Sequence, residues 1–218
     1  MSNTDSFIDE VTEEVRRDRL YAFFRRWAWL GILIVVAVVG TAAFLEWQKV
    51  RHAAAAARAG DALLDALEAD DPAERATALA ASGVGGPLPL LLIAGQDMLA
   101  GDRDAAIATL QALAADTRQP GVYRDLAALR AVMLQTGITP PEDRITALQP
   151  LAIPGATFAP LAEEQIALAR IEAGDLAGAR ATLDALLADA ATSSSLRNRA
   201  AALRTALGDD ATSGGDGS

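Results

Sequence analysis

Residues 27–45 read WAWLGILIVVAVVGTAAFL, nineteen positions without a charge, with charges crowded at both ends. As a helix at 1.5 Å per residue this stretch is roughly 28 Å long, close to the hydrocarbon thickness of a bilayer. Lipid offers no water to backbone amides, so a spanning segment must be a helix that satisfies its own hydrogen bonds. A buried helix of a soluble protein keeps a polar stripe, and this one has none. Trp27, Trp29 and Trp47 lie at its two ends, where amphipathic rings favour the headgroup layer. The stretch predicts a transmembrane anchor over residues 27–47, its partner being the lipid bilayer. Thr41-Ala42-Ala43 offers small residues at a cleavage point. However, the apolar run is longer than a signal-peptide core and its polar lead-in is long, so an uncleaved anchor is expected.

Outward from the anchor, residues 1–26 form a charged arm. Phe7, Val11 and Val15 fall four apart, and Glu13 and Arg17 have helical pair spacing, so the arm is expected to be partly helical. Arg16, Arg17, Arg19, Arg25 and Arg26 precede the anchor, whereas Lys49, Arg51 and Arg58 follow it. Orientation tracks Lys and Arg near the ends of a span, which favours a cytoplasmic amino terminus.

Composition sets the class of the remainder. The chain has 218 residues, 51% hydrophobic and only 5% aromatic, with Ala and Leu dominant. That is the composition of close-packed helices, and an all-α protein is expected. A net charge of −10 argues against nucleic acid as a partner. Cysteine is absent, which removes disulfide and thiol chemistry without choosing a compartment.

Beyond the anchor the chain repeats. Residues 100–116 (AGDRDAAIATLQALAAD) and 173–189 (AGDLAGARATLDALLAD) agree at eleven of seventeen positions. Five of those are alanines, cheap in this chain; Gly, Asp, Thr, Leu, Leu and Asp are not. A separation of 73 suggests two periods of about 36. Gly101, Gly137, Gly174 and Gly208 follow helical stretches at spacings of 36, 37 and 34. Glycine there takes up the left-handed turn that ends one helix and redirects the chain. Ala106, Leu110 and Leu113, or Ala179, Leu183 and Leu186, share one face of the helix that follows.

Between these landmarks, Pro141 suits a first helical turn and Thr139 or neighbouring groups its cap, with a helix over residues 141–148. Residues 52–69 and 72–81 read as a degenerate first hairpin, followed by a flexible hinge over residues 82–89, SGVGGPLP. A capping helix is expected near residues 195–207, with Ser193-Ser194-Ser195 in the loop before it as a cap, and then a disordered tail over residues 208–218. The regions are thus the arm 1–26, the anchor 27–47, an Ala-rich helix with hairpin and hinge 48–86, repeats with their cap 87–207, and the tail.

No chemical constellation assembles. His52 is the one histidine, in an Ala-rich helix, and with no cysteine the ordinary zinc and iron sites are excluded. Residues 82–87, SGVGGP, lack the lysine and context of a phosphate loop. Asp70-Asp71, Asp102/Asp104 and Asp209-Asp210 lack the alternating ligand loop of a calcium site. The anchor carries no intramembrane charge for an ion path, and Gly31 and Gly40 do not form a dimer face. No catalytic, cofactor-binding or metal residue, no cofactor and no small-molecule substrate is expected. What remains is recognition by surface. Stacked hairpins leave a concave groove, here lined from residues 90–93, 126–133 and 166–171.

The period, the Gly-Asp turn and the Ala-then-Leu second helix resemble divergent tetratricopeptide repeats. The fold expected is one transmembrane helix followed by a tetratricopeptide-like α-solenoid of three to four hairpins. With the arm EEVRRDRLYAFFRRW, the span and the Ala-rich segment QKVRHAAAAARAGDALLDAL, the chain resembles the tetratricopeptide-repeat-like ancillary subunits of the bacterial Sec (SecYEG) translocon, the YfgM-like family. The resemblance implies a single-pass inner-membrane protein with a periplasmic repeat domain. Its implied partners are the translocon and periplasmic chaperones or secreted clients, and it carries over no catalytic residue. A scaffold for another envelope-biogenesis complex, and an enzyme whose site a partner completes, are the competing readings.

Overall fold

The computed structural model describes the backbone of residues 4–208 and the side chains of Trp29 and of residues 33–208. Every regular element among them is helical. The helices are α1 (Thr4–Ala66), α2 (Pro72–Ala81), α3 (Pro87–Leu99), α4 (Arg103–Ala115), α5 (Gly121–Leu134), α6 (Pro141–Leu148), α7 (Ala159–Glu172), α8 (Leu176–Ala188) and α9 (Ser194–Ala206). A 3-10 turn, Gln149–Leu151, extends α6. The chain divides into two compact units, Met1–Gly60 and Asp61–Ser218.

In the first unit, the arm, the apolar stretch and the Ala-rich segment after it are one unbroken helix. Nothing in the sequence stops it: no proline occurs before Pro72, and the alanines of residues 53–57 are the best helix formers available. Every large apolar side chain from Leu33 to Val50 is more than half exposed. Thr41, the one polar side chain between Leu33 and Leu45, satisfies itself by donating from Oγ1 to the Ala37 carbonyl at 2.7 Å. This helix is long and apolar enough to cross a membrane.

The second unit is a succession of helices, each packed on the next. Most of its buried apolar residues fall into four clusters, each shared by elements adjacent in sequence. Leu63, Ala66 and Leu79 join the end of α1 to α2 and α3. Ala94, Leu110, Leu113 and Ala127 join α3, α4 and α5. Leu129, Val132, Leu148 and Ile166 join α5, α6 and α7. Ala167, Leu183, Leu186, Leu196 and Ala200 join α7, α8 and α9. Small alanines at the crossings allow close approach, and leucines fill the space beside them.

The internal similarity extends well past the seventeen residues read in the sequence. At a shift of 73 positions α4 coincides with α8 end to end, and α3 and α5 coincide with α7 and α9 to within a residue. Ala94, Ala106, Leu110, Leu113 and Ala127 are buried, and so are their counterparts Ala167, Ala179, Leu183, Leu186 and Ala200.

The Gly-Asp turns show how two residues join two helices. Gly101 (φ 82°) and Gly174 (φ 80°) are left-handed, a conformation in which a side chain is strained. The Gly101 N–H donates to the Met98 carbonyl and the Asp102 N–H to the Asp97 carbonyl; at the second turn the pairs are Gly174 to Ile171 and Asp175 to Arg170. Both are Schellman closures. The same aspartates then cap the next helix, Asp102 Oδ1 accepting from the Ala105 N–H and Asp175 Oδ1 from the Gly178 N–H, each at 2.9 Å. Ser193 Oγ caps α9 by accepting from the Leu196 N–H.

Several local expectations are corrected. The hinge over residues 82–89 is shorter, because Pro87 and Pro89 sit in the first turn of α3, where a missing N–H costs nothing. Thr139 does not cap α6: its N-cap is Pro140, with no side-chain cap bond. Gly137 (φ 77°) does not end α5 directly. That helix stops at Gln135, and the glycine lies two residues on, where the Ile138 and Thr139 amides both donate to the Gln135 carbonyl. Gly208 (φ 64°) follows α9 directly. Of the expected disordered tail, residues 209–218 lie outside the described residues, as do the side chains of the arm.

Candidate interaction surface

The residues expected at the ends of the span are placed as follows. Trp29 and Trp47 are both more than half exposed. The Arg51 guanidinium stacks 4.2 Å from the centroid of the Trp47 ring, and Phe44 lies 6.1 Å from that ring. A cation over an indole holds the ring at the polar end of the apolar stretch. The side chains of Trp27, Arg16, Arg17, Arg19, Arg25 and Arg26 lie outside the described residues. Gly101, Gly137, Gly174 and Gly208 all have positive φ.

Polar side chains in the second unit tie helices together. Arg144, buried on α6, donates to the Thr139 carbonyl at 3.2 Å and to Thr136 Oγ1 at 3.1 Å, and it pairs with the Glu172 carboxylate at the end of α7. Arg199 on α9 grips Glu164 on α7 through two bonds of 2.7 and 2.8 Å. Glu164 is buried, so its charge requires that partner. Arg75 Nε donates to Gln96 Oε1 on α3 at 2.7 Å, and its Nη1 donates to the carbonyls of Ala69 and Asp70. These groups are committed to the fold.

Two carboxyls are pushed above their ordinary values. Burial raises Asp97, and the neighbouring Asp102 adds to it. Burial likewise raises Glu163, with Asp189 contributing. In the other copy of the repeat the position of Asp97 belongs to Arg170, whose Nε lies 3.9 Å from Asp175. One unit therefore places like charges where the other places a pair. No group of three potential metal ligands occurs among the described residues, and His52 is exposed.

One stretch of the expected groove, residues 126–133, supplies Arg130 and Met133 to a pocket whose other walls were not among the expected residues. Between α3, α4 and α5 lies an open cleft of about 370 Å³ lined by Ala94, Gly95, Met98, Leu110, Arg130, Met133 and Leu134. It is at the small end of ligand-sized clefts. Met98 and Met133 form exposed lips, and Leu110 is a buried floor. Gly95 opens the cleft: a Cβ built there meets nothing within 4 Å. The available signal was a glycine inside a helix at the position where the repeated unit has Leu168. No family model, no curated protein and no solved structure matches the chain.

Proposed function

We propose that the chain is a membrane-anchored protein-binding module. The middle of α1 spans a bacterial inner membrane with the amino terminus in the cytoplasm. The helices after it form a tetratricopeptide-like solenoid of hairpins in the periplasm. The observation that carries this reading is the conjunction of one helix with an uncovered apolar surface and a serial stack of paired helices built on a repeated unit. Water does not tolerate a contiguous apolar surface of that extent, whereas lipid does. A serial stack, in turn, offers extended surface for polypeptide.

The module serves as an ancillary subunit of the translocon or as a chaperone-like adaptor for proteins entering the periplasm. The support for this step is the resemblance in arm, span and repeats.

The experiment is affinity capture of the full chain from detergent-solubilised membranes, with a reporter fused at each terminus. Translocon components, a cytoplasmic amino terminus and retention in the membrane pellet after alkaline extraction are expected. Capture of a different envelope-biogenesis complex would assign the module to that scaffold. Recovery of the intact chain in the soluble fraction would overturn the anchor.

A further inference from the structure

The cleft beside Gly95 deepens the protein-binding reading, and its assignment rests on that reading. The cleft walls are apolar, and their one charge is Arg130. Arg130 is exposed and makes no hydrogen bond or ion pair with any other described residue. After residue 60 acidic residues outnumber arginines two to one, and no lysine follows Lys49. An unengaged cation beside an apolar recess is therefore out of keeping with its surroundings.

We propose that this cleft takes a large apolar side chain of a bound polypeptide segment, while an adjoining Asp or Glu of that segment pairs with Arg130. The methionine lips suit side chains of differing shape, because the thioether is flexible and polarizable. Carboxylate selection comes from the guanidinium, which presents a planar fork of donors. Within an acidic domain it is also the point at which an acidic segment is attracted and its register set. The arrangement belongs to one copy of the repeat. At a shift of 73, Gly95, Arg130 and Met133 become Leu168, Leu203 and Ala206, so the second copy has neither the gap nor the cation.

The test uses the full chain in detergent micelles with isotopically labelled methionine methyl groups. The chain has three methionines, and two of them line the cleft. The probe is the peptide acetyl-Gly-Ser-Asp-Phe-Ser-Gly-amide, with Asn-Phe and Asp-Ala versions as controls. The Asp-Phe peptide is expected to shift the Met98 and Met133 methyl resonances. The Asn-Phe version should bind about threefold more weakly, the usual consequence of losing one solvent-exposed ion pair.

Gly95→Leu should abolish the shifts at the same peptide concentration while leaving the melting temperature unchanged or higher, since leucine favours the helix and meets open space. Arg130→Gln should make the Asp-Phe and Asn-Phe peptides equivalent. Equal binding of those two peptides by the parent chain, or full binding by Gly95→Leu, would overturn the proposal. Methyl shifts that depend on protein concentration without peptide would give the cleft to a second copy and overturn it as well. If the methyls stay still while the full chain captures protein partners, the cleft assignment fails and the broader reading stands. If capture fails too, both fall.

Discussion

Asp97 and Arg170 occupy the same place in two copies of one unit and carry opposite charges. Each stands before a Gly-Asp turn, and in both the backbone carbonyl closes that turn. Only their side chains differ in consequence. Arg170 lies within 3.9 Å of Asp175 and donates to the Gly178 carbonyl at 3.0 Å. Asp97 is partly desolvated beside Asp102, which raises its pKa above the usual 3.8. A carboxyl whose native pKa is raised binds protons more readily folded than unfolded, so ionising it weakens the fold. Asp97→Asn should therefore raise the melting temperature at pH 7. The gain should shrink as pH falls through the raised native value and vanish below about 3.8, where both forms are neutral. Thermal melts of the two chains across that range check it; a gain that grows toward acid pH would contradict it.

The Gly-Asp dipeptide does two jobs with one pair of residues, ending a helix by backbone conformation and starting the next by side chain. The two jobs separate experimentally. Gly174→Ala should cost about 1–2 kcal/mol, because alanine must enter the left-handed region. Asp175→Ala should cost about 1 kcal/mol through loss of the cap at Gly178. Denaturant unfolding followed by helical signal reads both. Deeper in the same unit, Leu183 is fully buried between α7, α8 and α9. Leu183→Ala should cost about 2–5 kcal/mol, the range for a leucine cavity in a packed core. A value below about 1 kcal/mol would mean that the helices collapse into the space.

Helices α5 and α9 occupy corresponding places in the two copies and differ on one face. Helix α5 turns Leu129 and Val132 to the next helices, and both are buried there. Their counterparts on α9 are Ala202 and Thr205, both exposed. Leu126 is likewise replaced by Arg199, which holds Glu164. Helix α9 thus keeps the face that covers α7 and α8 and lacks the apolar face that α5 presents to α6 and α7. Restoring that face with Ala202→Leu and Thr205→Val should leave the fold intact and promote self-association, seen as a concentration-dependent mass in sedimentation. An unchanged mass at every concentration would show that two apolar side chains are too little surface.

Features that depend on near neighbours in the chain are legible in the sequence itself. The uncharged stretch, the helices over residues 72–81 and 141–148, the Gly-Asp turns and the Ser193 cap each follow from residues within a turn or two of one another. The same short range explains the errors. A Pro-rich stretch reads as a hinge until leucines beyond it are seen to make a helix of it, and Thr139 reads as a cap until the backbone turns at Pro140. Contacts across long separations are not legible. Arg144 meets Glu172 across 28 residues and Arg199 meets Glu164 across 35, and no local pattern selects those partners. The cleft at Gly95 needs three helices in place before a missing side chain becomes a space. Chain-local hydrogen bonding and polarity dictated the elements and their punctuation; the packing of one helix against the next dictated which charges are buried and where a gap is left open.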